Sequence, residues 1–114
     1  MLPKDFKVES YVDIGCGNCQ ITDQISQALS ASRTVAADIA PYERAKYTLR
    51  SCKTKMHYVQ IDQQRSKVNV RTSSVDLVTC YMSIHHFEAQ AAMFAEIKRI
   101  LKPDGFLFVR EHDA

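Results

Sequence analysis

Short apolar runs alternate with segments of helical periodicity along the chain, and this alternation constrains the fold more than any other feature. Strands are predicted at residues 10–14, 34–39, 56–61, 75–81 and 106–109. Such alternation is typical of repeated βαβ units. Because crossovers between parallel strands are right-handed, these units predict an open parallel sheet with helices on both faces.

Helices are predicted after the first, second and fourth strands, and residues 63–74 are predicted to be mainly loop with one helical turn. The first helix has an inner face of four apolar residues at helical spacing, namely Ile21, Ile25, Ala28 and Leu29. Pro41 suits the first turn of the second helix. The third helix is predicted over residues 88–101, before Pro103 and Gly105, which favour its termination.

The predicted fold class is therefore α/β, with a single domain over residues 1–114. The sheet is expected to be Rossmann-like, with about five strands in the order 3-2-1-4-5. This length can bury a core but leaves no room for a second domain that binds substrate. No apolar run approaches the roughly 20 residues that cross a bilayer, and the first residues lack the apolar core of a signal peptide. We therefore expect a cytoplasmic protein without membrane contact, whose four cysteines are reduced.

Positive charge is concentrated in the middle of the chain. Residues 44–71 hold eight Lys or Arg and one acidic residue, Asp62, whereas the net charge of the whole chain is only +2. A basic segment of this kind favours a polyanion such as RNA as a partner. The alternative interpretation is a solvated helix face followed by a polar loop, which explains the same charges without a partner.

The turn after the first strand contains Asp13, Gly15 and Gly17. Glycines permit a sharp turn and a close approach to a ligand, and free N–H groups at a helix start can bind an anionic group. A P-loop needs Gly-Lys-Ser/Thr, which residues 17–19 do not supply. A dinucleotide fingerprint needs another glycine soon after Gly17, and Asp13 would repel a pyrophosphate. A ligand with an ammonium group and no phosphate, such as S-adenosylmethionine, fits this turn better.

Two more acidic residues end neighbouring strands. Asp38 ends the second strand about 20 residues beyond the glycine turn, where a carboxylate can accept hydrogen bonds from both ribose hydroxyls. Asp62 follows the third strand, where a carboxylate can accept a hydrogen bond from an adenine amino group. Taken alone, Asp38 is better explained as a cap for the helix that begins near Pro41. The repetition of an acid at three strand ends favours the ligand-binding interpretation.

Five segments, taken in order, resemble the class I S-adenosylmethionine-dependent methyltransferases, in particular the methyltransferase 11-like group. They are Val-Asp-Ile-Gly-Cys-Gly, Ala-Asp-Ile, Gln-Ile-Asp, Ser-Val-Asp-Leu-Val and Ile-Lys-Arg-Ile-Leu-Lys-Pro-Asp-Gly-Phe-Leu. The resemblance covers nearly the whole chain, from Tyr11 to Val109. It implies an S-adenosylmethionine-dependent methyltransferase that is truncated after the fifth strand, because the family's sheet normally has a sixth and a seventh strand.

The resemblance also implies roles for individual residues. The cofactor-binding set is Asp13, Gly15 and Gly17 around the methionine part, Asp38 at the ribose, Asp62 at the adenine, Tyr81 and Met82 flanking the cofactor and facing the substrate, and the neighbouring Cys16 and Ile39. His85 and His86 are candidate general bases, because imidazole titrates near neutral pH. At least one of the two histidines is expected to pack against or cap the following helix instead.

The apolar fifth strand is expected to be an edge of the sheet with unpaired backbone groups. We expect this edge to pair with a second copy of the chain or with the rest of a longer parent chain. The methyl acceptor stays open, with a lean towards RNA. No metal is required, because the sulfonium of the cofactor is already an activated methyl donor.

Two other functions compete with this interpretation. The first is a non-catalytic or degenerate cofactor-binding module that acts as a partner subunit. The second is a thiol oxidoreductase, because Cys16 and Cys19 form a C-x-x-C motif at a helix start, where thiol pKa values fall. The motif is embedded in the glycine turn, and an oxidoreductase of this type does not need Asp13 or Asp38.

Overall fold

The computed structural model describes residues 6–81 and 90–110, which form a five-stranded sheet with three helices. The strands are β1 (Ser10–Ile14), β2 (Arg33–Asp38), β3 (His57–Gln60), β4 (Val75–Tyr81) and β5 (Leu101–Arg110). The helices are α1 (Gln20–Leu29), α2 (Tyr42–Ser51) and α3 (Gln90–Ile100). All neighbouring strands are parallel, in the order β3-β2-β1-β4-β5, which confirms the predicted fold class and strand order.

The bounds of β1 and β4 match the prediction, whereas the other strands differ from it. β2 ends at Asp38 rather than one residue later, and β3 is shorter than predicted at both ends. β5 begins at Leu101, which pairs with Val75, and a register irregularity follows before the regular pairing starts at Phe106. The predicted helical turn in the loop is wrong, because residues 63–66 form a turn closed by an antiparallel bridge between Asp62 and Lys67.

The two faces of the sheet are covered by different helices. Val12 and Val78 point to the face that packs against Met93, Ile97 and Ile100 of α3. The opposite face carries Tyr11 and Leu77, which pack against Ile25 and Leu29 of α1, and Ala36, which packs with Leu49 of α2. A switch of helices from one face to the other at β1 is the arrangement that creates a ligand-binding crevice in open α/β sheets.

The predicted inner face of α1 is only half right. Ile25 and Leu29 pack on the sheet, but Ile21 and Ala28 are exposed, and the fully buried residues are Thr22 and Ser26. The hydroxyl of Thr22 donates to Asp13 at 2.6 Å. The Ser26 and Thr34 hydroxyls lie 2.6 Å apart and share a hydrogen bond. Buried hydroxyls are tolerated when they are hydrogen-bonded. The hydrogen bonds of Thr22 and Ser26 therefore allow α1 to bury these hydroxyls while Ile21 and Ala28 are exposed.

The third helix also differs from the prediction at its end. α3 stops at Ile100, and Leu101 is the first residue of β5. Phe94 of this helix is 39% exposed, whereas Met93, Ile97 and Ile100 are completely buried. None of the helices that the structure describes combines the length and apolarity needed to cross a membrane.

Gly105 lies where β5 runs close to β4. A Cβ atom on Gly105 would lie 2.9 Å from Leu101 Cδ2 and about 3 Å from the backbone oxygens of Val75 and Asp76. Backbone oxygens in a paired strand cannot move aside easily. The glycine of the Pro-Asp-Gly segment is therefore required by the close approach of two strands, in addition to its position after a helix.

Candidate functional site

The glycine turn lies at the carboxyl end of β1, between the ends of β2 and β4. Gly15 and Gly17 both have positive φ, at 79° and 56°, which glycine adopts without strain. The backbone N–H groups of Gly15 and Cys16 both donate to the carbonyl of Ala37, at 2.6 and 3.1 Å. These two hydrogen bonds hold the start of the turn against the last residues of β2.

Asp38 contacts the same turn directly. One carboxylate oxygen accepts a hydrogen bond from the N–H of Gly17 at 2.8 Å, and the other accepts from the N–H of Ile39 at 2.7 Å. The capping position of α2 is occupied by Pro41, which has no side-chain cap. The alternative role of Asp38 as a helix cap is therefore wrong. The structure brings Asp38 and Gly17 together, as the ligand-binding interpretation requires.

Gly17 presents an open face. A Cβ atom built on it would have no heavy atom within 4 Å, so protein packing does not explain the glycine. The positive φ of Gly17 and the open space beside it explain the glycine. That space leaves room for a ligand against the backbone. Cys19 also has a positive φ, of 63°, which few residues other than glycine adopt readily.

Asp13 lies beneath the turn rather than beside the open space, with 1% of its surface exposed. Its two carboxylate oxygens accept hydrogen bonds from the hydroxyls of Thr22, at 2.6 Å, and Thr79, at 2.9 Å. The Thr79 hydroxyl is also 2.6 Å from the hydroxyl of Tyr11. Asp13 is therefore the centre of a buried network that joins β1, α1 and β4.

The pKa of Asp13 is raised to about 6. Burial is the largest cause, and the hydrogen bonds from Thr22 and Thr79 partly counteract it, while the negative charge of Asp38 adds to the rise. Asp13 is still mostly ionised at pH 7, so the two carboxylates give the turn a negative potential. A cationic group is electrostatically favoured there.

A groove of about 430 Å³ continues from Asp38 along the ends of β2 and β3. It is lined by Ile39, Asp62 and the neighbouring residues 60, 61, 63 and 64. The side chain of Ile39 is 39% exposed, and that of Asp62 is 47% exposed. Asp62 accepts a hydrogen bond from the N–H of Arg65, and lone pairs remain available on its oxygens. An apolar side chain and a carboxylate in one groove suit a flat heterocycle with an amino group.

Tyr58 organises the end of β2. Its hydroxyl donates to the carbonyl of Ala40 and lies 3.4 Å from that of Asp38, which holds the chain as it leaves the strand. Burial is the main cause that raises the pKa of the Tyr58 hydroxyl, so it remains a donor at neutral pH. Sequence reasoning missed Tyr58, Thr22 and Thr79. Only Thr79 had a usable signal, because β1 and β4 are neighbours in the predicted strand order; their observed register pairs Thr79 with Asp13.

The remaining predicted site residues are only partly within the structure. Tyr81 is the last residue of β4 and therefore lies at the same sheet edge as the glycine turn. Its side chain, and all of Met82, His85 and His86, lie outside the described residues. No group of three or more His, Cys, Asp or Glu residues with the geometry of a metal site occurs within residues 6–81 and 90–110.

Comparison with known proteins gives a consistent result. A family model described as a methyltransferase domain matches residues 12–109. The ubiquinone biosynthesis O-methyltransferase of Haemophilus ducreyi is 27% identical over 101 residues, which cover 86% of this chain and 43% of that protein. The ribosomal RNA large subunit methyltransferase G of Photobacterium profundum is 28% identical over an alignment of 122 positions, which covers 95% of this chain and 31% of that protein.

A solved structure shares the fold. The S-adenosylmethionine-dependent methyltransferase from Mesorhizobium loti matches with a TM-score of 0.73 at 24% identity, over 93% of this chain and 47% of that one. The chain thus spans less than half the length of these two curated relatives and of this structure.

Proposed function

Because the chain belongs to the S-adenosylmethionine-dependent methyltransferase family, we propose that it binds this cofactor along the edge formed by β1, β2 and β3 and catalyses methyl transfer. The observation that carries the proposal is the contact between Gly17 and Asp38 beside an open face of Gly17. S-adenosylmethionine supplies an activated methyl group on a sulfonium. The protein's own residues have to bind, orient and shield it.

Asp38 is the proposed ribose ligand. Each of its oxygens accepts one backbone hydrogen bond, and a carboxylate oxygen has a second lone pair for a hydroxyl donor. Ile39 would cover one face of the adenine, and Asp62 would accept a hydrogen bond from its amino group. The groove that contains both residues starts directly after Asp38.

The turn from Gly15 to Gly17 is the proposed cradle for the methionine part. Gly17 allows the ligand to approach the backbone, and Cys16 lies between the two glycines. Asp13 is assigned an indirect role, because both of its oxygens are used by threonine hydroxyls. Its negative charge would favour the ammonium group of the ligand while the carboxylate itself holds the turn in place.

Tyr81 and Met82 are proposed to lie between cofactor and acceptor, and His85 and His86 are the candidate general bases. Methyl transfer needs the acceptor, the methyl carbon and the sulfur in line, with water excluded. The end of β4 adjoins the glycine turn through the pairing of Ile14 with Cys80, so a segment that follows Tyr81 can reach the acceptor side.

A calorimetric titration with S-adenosylmethionine tests the binding step. Wild-type protein is expected to bind, and Asp38→Ala to bind at least about tenfold more weakly, a loss of about 1.4 kcal/mol. Glu43→Gln is the matched control, because Glu43 is an exposed acid on α2 that pairs with Lys46 outside the groove. Wild-type affinity in Asp38→Ala would contradict the ribose role.

A transfer assay with isotopically labelled cofactor then separates an enzyme from a non-catalytic binding module. Pools of RNA, protein and small molecules are the acceptors. Label in one pool identifies the acceptor class, while tight binding without transfer to any pool supports the non-catalytic module. Reductase activity that Cys16→Ser abolishes would instead support the thiol oxidoreductase.

RNA is the acceptor class that the surface of α2 favours. Tyr47 is 66% exposed, and the cations of Lys46 and Arg50 lie 5.3 and 5.8 Å from the centre of its ring. An exposed aromatic ring between cations is suited to base stacking beside a phosphate backbone. Salt-dependent binding of an RNA oligonucleotide, weakened in a Tyr47→Ala variant, is expected. Transfer only to the pool of small molecules would contradict this choice.

The outer edge of β5 is the proposed contact with a second copy or with the rest of a longer parent chain. Among the described strands, β5 pairs only with β4, and its Phe108 and Val109 side chains are about two-fifths exposed. Light scattering of the purified chain is expected to show a dimer if a second copy occupies the edge. Both forms of the proposal would be contradicted if the purified chain were a stable monomer and the β5 amides of the full-length protein were unprotected from hydrogen exchange.

The proposal includes a cytoplasmic location, which is supported by four cysteines whose spacing is not that of a small secreted, disulfide-bonded domain.

A further inference from the structure

The glycine turn contains a pair of thiols that are already close enough to react. The sulfur atoms of Cys16 and Cys19 lie 3.1 Å apart, and both side chains are reduced. A disulfide requires about 2.05 Å between the sulfurs, so a contraction of about 1 Å would close the bond. The pair is held by its own backbone, because the N–H of Cys19 donates to the carbonyl of Cys16 at 2.8 Å.

The pair occupies the place where a cofactor is proposed to bind. Cys16 precedes Gly17, whose N–H donates to Asp38, and Cys19 immediately precedes α1. Cys16 is 7% exposed and Cys19 is completely buried, while Gly17 and Asn18 between them are exposed. An oxidant can therefore reach the pair directly only at Cys16, the member that has any exposed surface.

We propose that Cys16 and Cys19 form a redox-active dithiol, which a hydroperoxide converts to an intrachain disulfide. The disulfide lowers the affinity of the glycine turn for its cofactor. The affinity clause rests on the proposed function, whereas disulfide formation does not.

The step balances as a two-electron oxidation. The thiolate of one cysteine attacks the peroxide oxygen, the O–O bond breaks, and a sulfenic acid forms with release of water or an alcohol. The second sulfur attacks the sulfenic sulfur, the S–S bond forms, and the hydroxyl leaves as water. Two thiols are oxidised, one peroxide is reduced, and thiol reagents reverse the change.

The environment of the pair distinguishes its two members. The hydrogen bond between the two thiols is the largest cause that lowers the pKa of Cys19, and the same contact is the largest cause that raises the pKa of Cys16. The charges of Asp13 and Asp38 raise the pKa of both thiols. The two thiols therefore interact directly, and the charges of the two carboxylates disfavour ionisation of either one.

The other cysteines are less suited to this reaction. The Cys52 thiol donates to the carbonyl of Thr48 at 3.5 Å, at the end of α2. Cys80 belongs to the core on the opposite face of the sheet, among the residues that pack on α3. The expected product is consequently a single disulfide between Cys16 and Cys19.

The effect on the cofactor follows from the position of Gly17 between the two cysteines. The N–H of Gly17 donates to Asp38, the proposed ribose ligand, and the open face of Gly17 is the proposed approach for the methionine part. Closing the disulfide draws the sulfurs of Cys16 and Cys19 about 1 Å closer and fixes the turn on either side of Gly17. We expect the constrained turn to hold Gly17 away from the position that binds the cofactor, which weakens binding.

Mass spectrometry of the whole chain after mild hydrogen peroxide treatment tests the bond. Both cysteines lie in one tryptic peptide, residues 8–33, whereas Cys52 and Cys80 lie in others. We expect this peptide to lose two hydrogen atoms and to regain them with dithiothreitol. Two intact thiols in residues 8–33, or a crosslink to another peptide, would overturn the proposal.

Calorimetry with S-adenosylmethionine on the same samples tests the coupling. We expect at least about tenfold weaker binding after oxidation and recovery after reduction. Cys52→Ser should respond to peroxide like the wild type, and binding by Cys16→Ser should no longer respond. Equal affinity of the oxidised and reduced chains would overturn the coupling. Failure of the reduced wild type to bind would refute the proposed function, while the mass of peptide 8–33 would still decide whether the disulfide forms.

Discussion

The amide nitrogen of Gly17 lies 2.8 Å from a carboxylate oxygen of Asp38, which ties the turn after β1 to the end of β2. The two residues are 21 positions apart in the chain, and parallel pairing of β1 with β2 brings them to the same sheet edge. The contact uses the backbone N–H of a glycine whose φ is positive. It makes the glycine and the acid one structural unit.

Gly17→Ala is expected to separate binding from stability. No atom would contact the new methyl group, so the cost to the free energy of unfolding is only that of a non-glycine residue at positive φ, about 1 kcal/mol. The methyl group would occupy the space assigned to the ligand, and we expect affinity for S-adenosylmethionine to fall by about tenfold or more. Urea denaturation and calorimetry measure the two effects. Gln20→Ala, at an exposed position in α1, is the control, and unchanged affinity in Gly17→Ala would argue against a ligand beside this residue.

Asp13→Asn is expected to change the pH dependence of stability. The native pKa of Asp13, about 6, exceeds the value of about 3.9 in an unfolded chain. The native state therefore binds more protons between these values, and this group's contribution to stability falls as the pH rises from 4 to 6. The free energy of unfolding of the wild type, taken relative to that of Asp13→Asn, should fall by on the order of 2 kcal/mol between pH 4 and pH 7.

Urea denaturation at several pH values measures this difference. Acids with lowered pKa values, such as Asp76 and Glu96, act in the opposite direction at lower pH, and they cancel when the two proteins are compared. Asp104→Asn, at an exposed position, is the control and should leave the profile of the wild type unchanged. A constant difference between wild type and Asp13→Asn across this pH range would show that Asp13 titrates normally.

Gly105→Ala is expected to destabilise the protein by about 1–3 kcal/mol, the usual cost of overpacking. The added methyl group would meet two backbone oxygens of β4 that are held by strand pairing. Asp104→Ala changes the exposed neighbouring position and should cost much less. Thermal and urea denaturation measure both variants. A Gly105→Ala variant as stable as Asp104→Ala would mean that β5 can move away from β4 without penalty.

Asp76→Asn is expected to cost about 2 kcal/mol. The carboxylate accepts hydrogen bonds from the backbone of Glu9 and Ser10, each at 3.0 Å, and from Lys102 at 2.9 Å. Burial would raise the pKa of Asp76, but Lys102 and the two N–H groups outweigh it and hold the pKa below its usual value. This stabilisation is present above the unfolded pKa and is lost as the pH falls through the native one.

Lys102→Met is the matched test for Asp76, since it removes only the more exposed partner. Its expected cost is smaller than that of Asp76→Asn, because the Lys102 side chain is 39% exposed and water screens the ion pair. If urea denaturation gave Lys102→Met the larger loss, the ion pair rather than the backbone contacts would hold the start of β1.

The sequence pattern was sufficient for the topology and for part of the site. Apolar runs bounded by glycine, proline and acids indicate where strands end, and parallel strands place those ends on one edge. This is why the bounds of β1 and β4, the strand order, and the meeting of Gly17 with Asp38 agree with the prediction. Each of these features depends on local spacing and on the handedness of crossovers.

Tertiary contacts decided the remaining features. From periodicity alone, Ile21 and Ala28 are expected on the buried face of α1. The folded chain buries Thr22 instead, because a hydroxyl is needed beside the buried carboxylate of Asp13. Asp13 itself accepts a hydrogen bond from Thr79, 66 residues away, so it lies beneath the turn. Local sequence determines which residues reach the sheet edge, but the partners that satisfy a buried polar group come from distant segments, and only the packed structure brings them together.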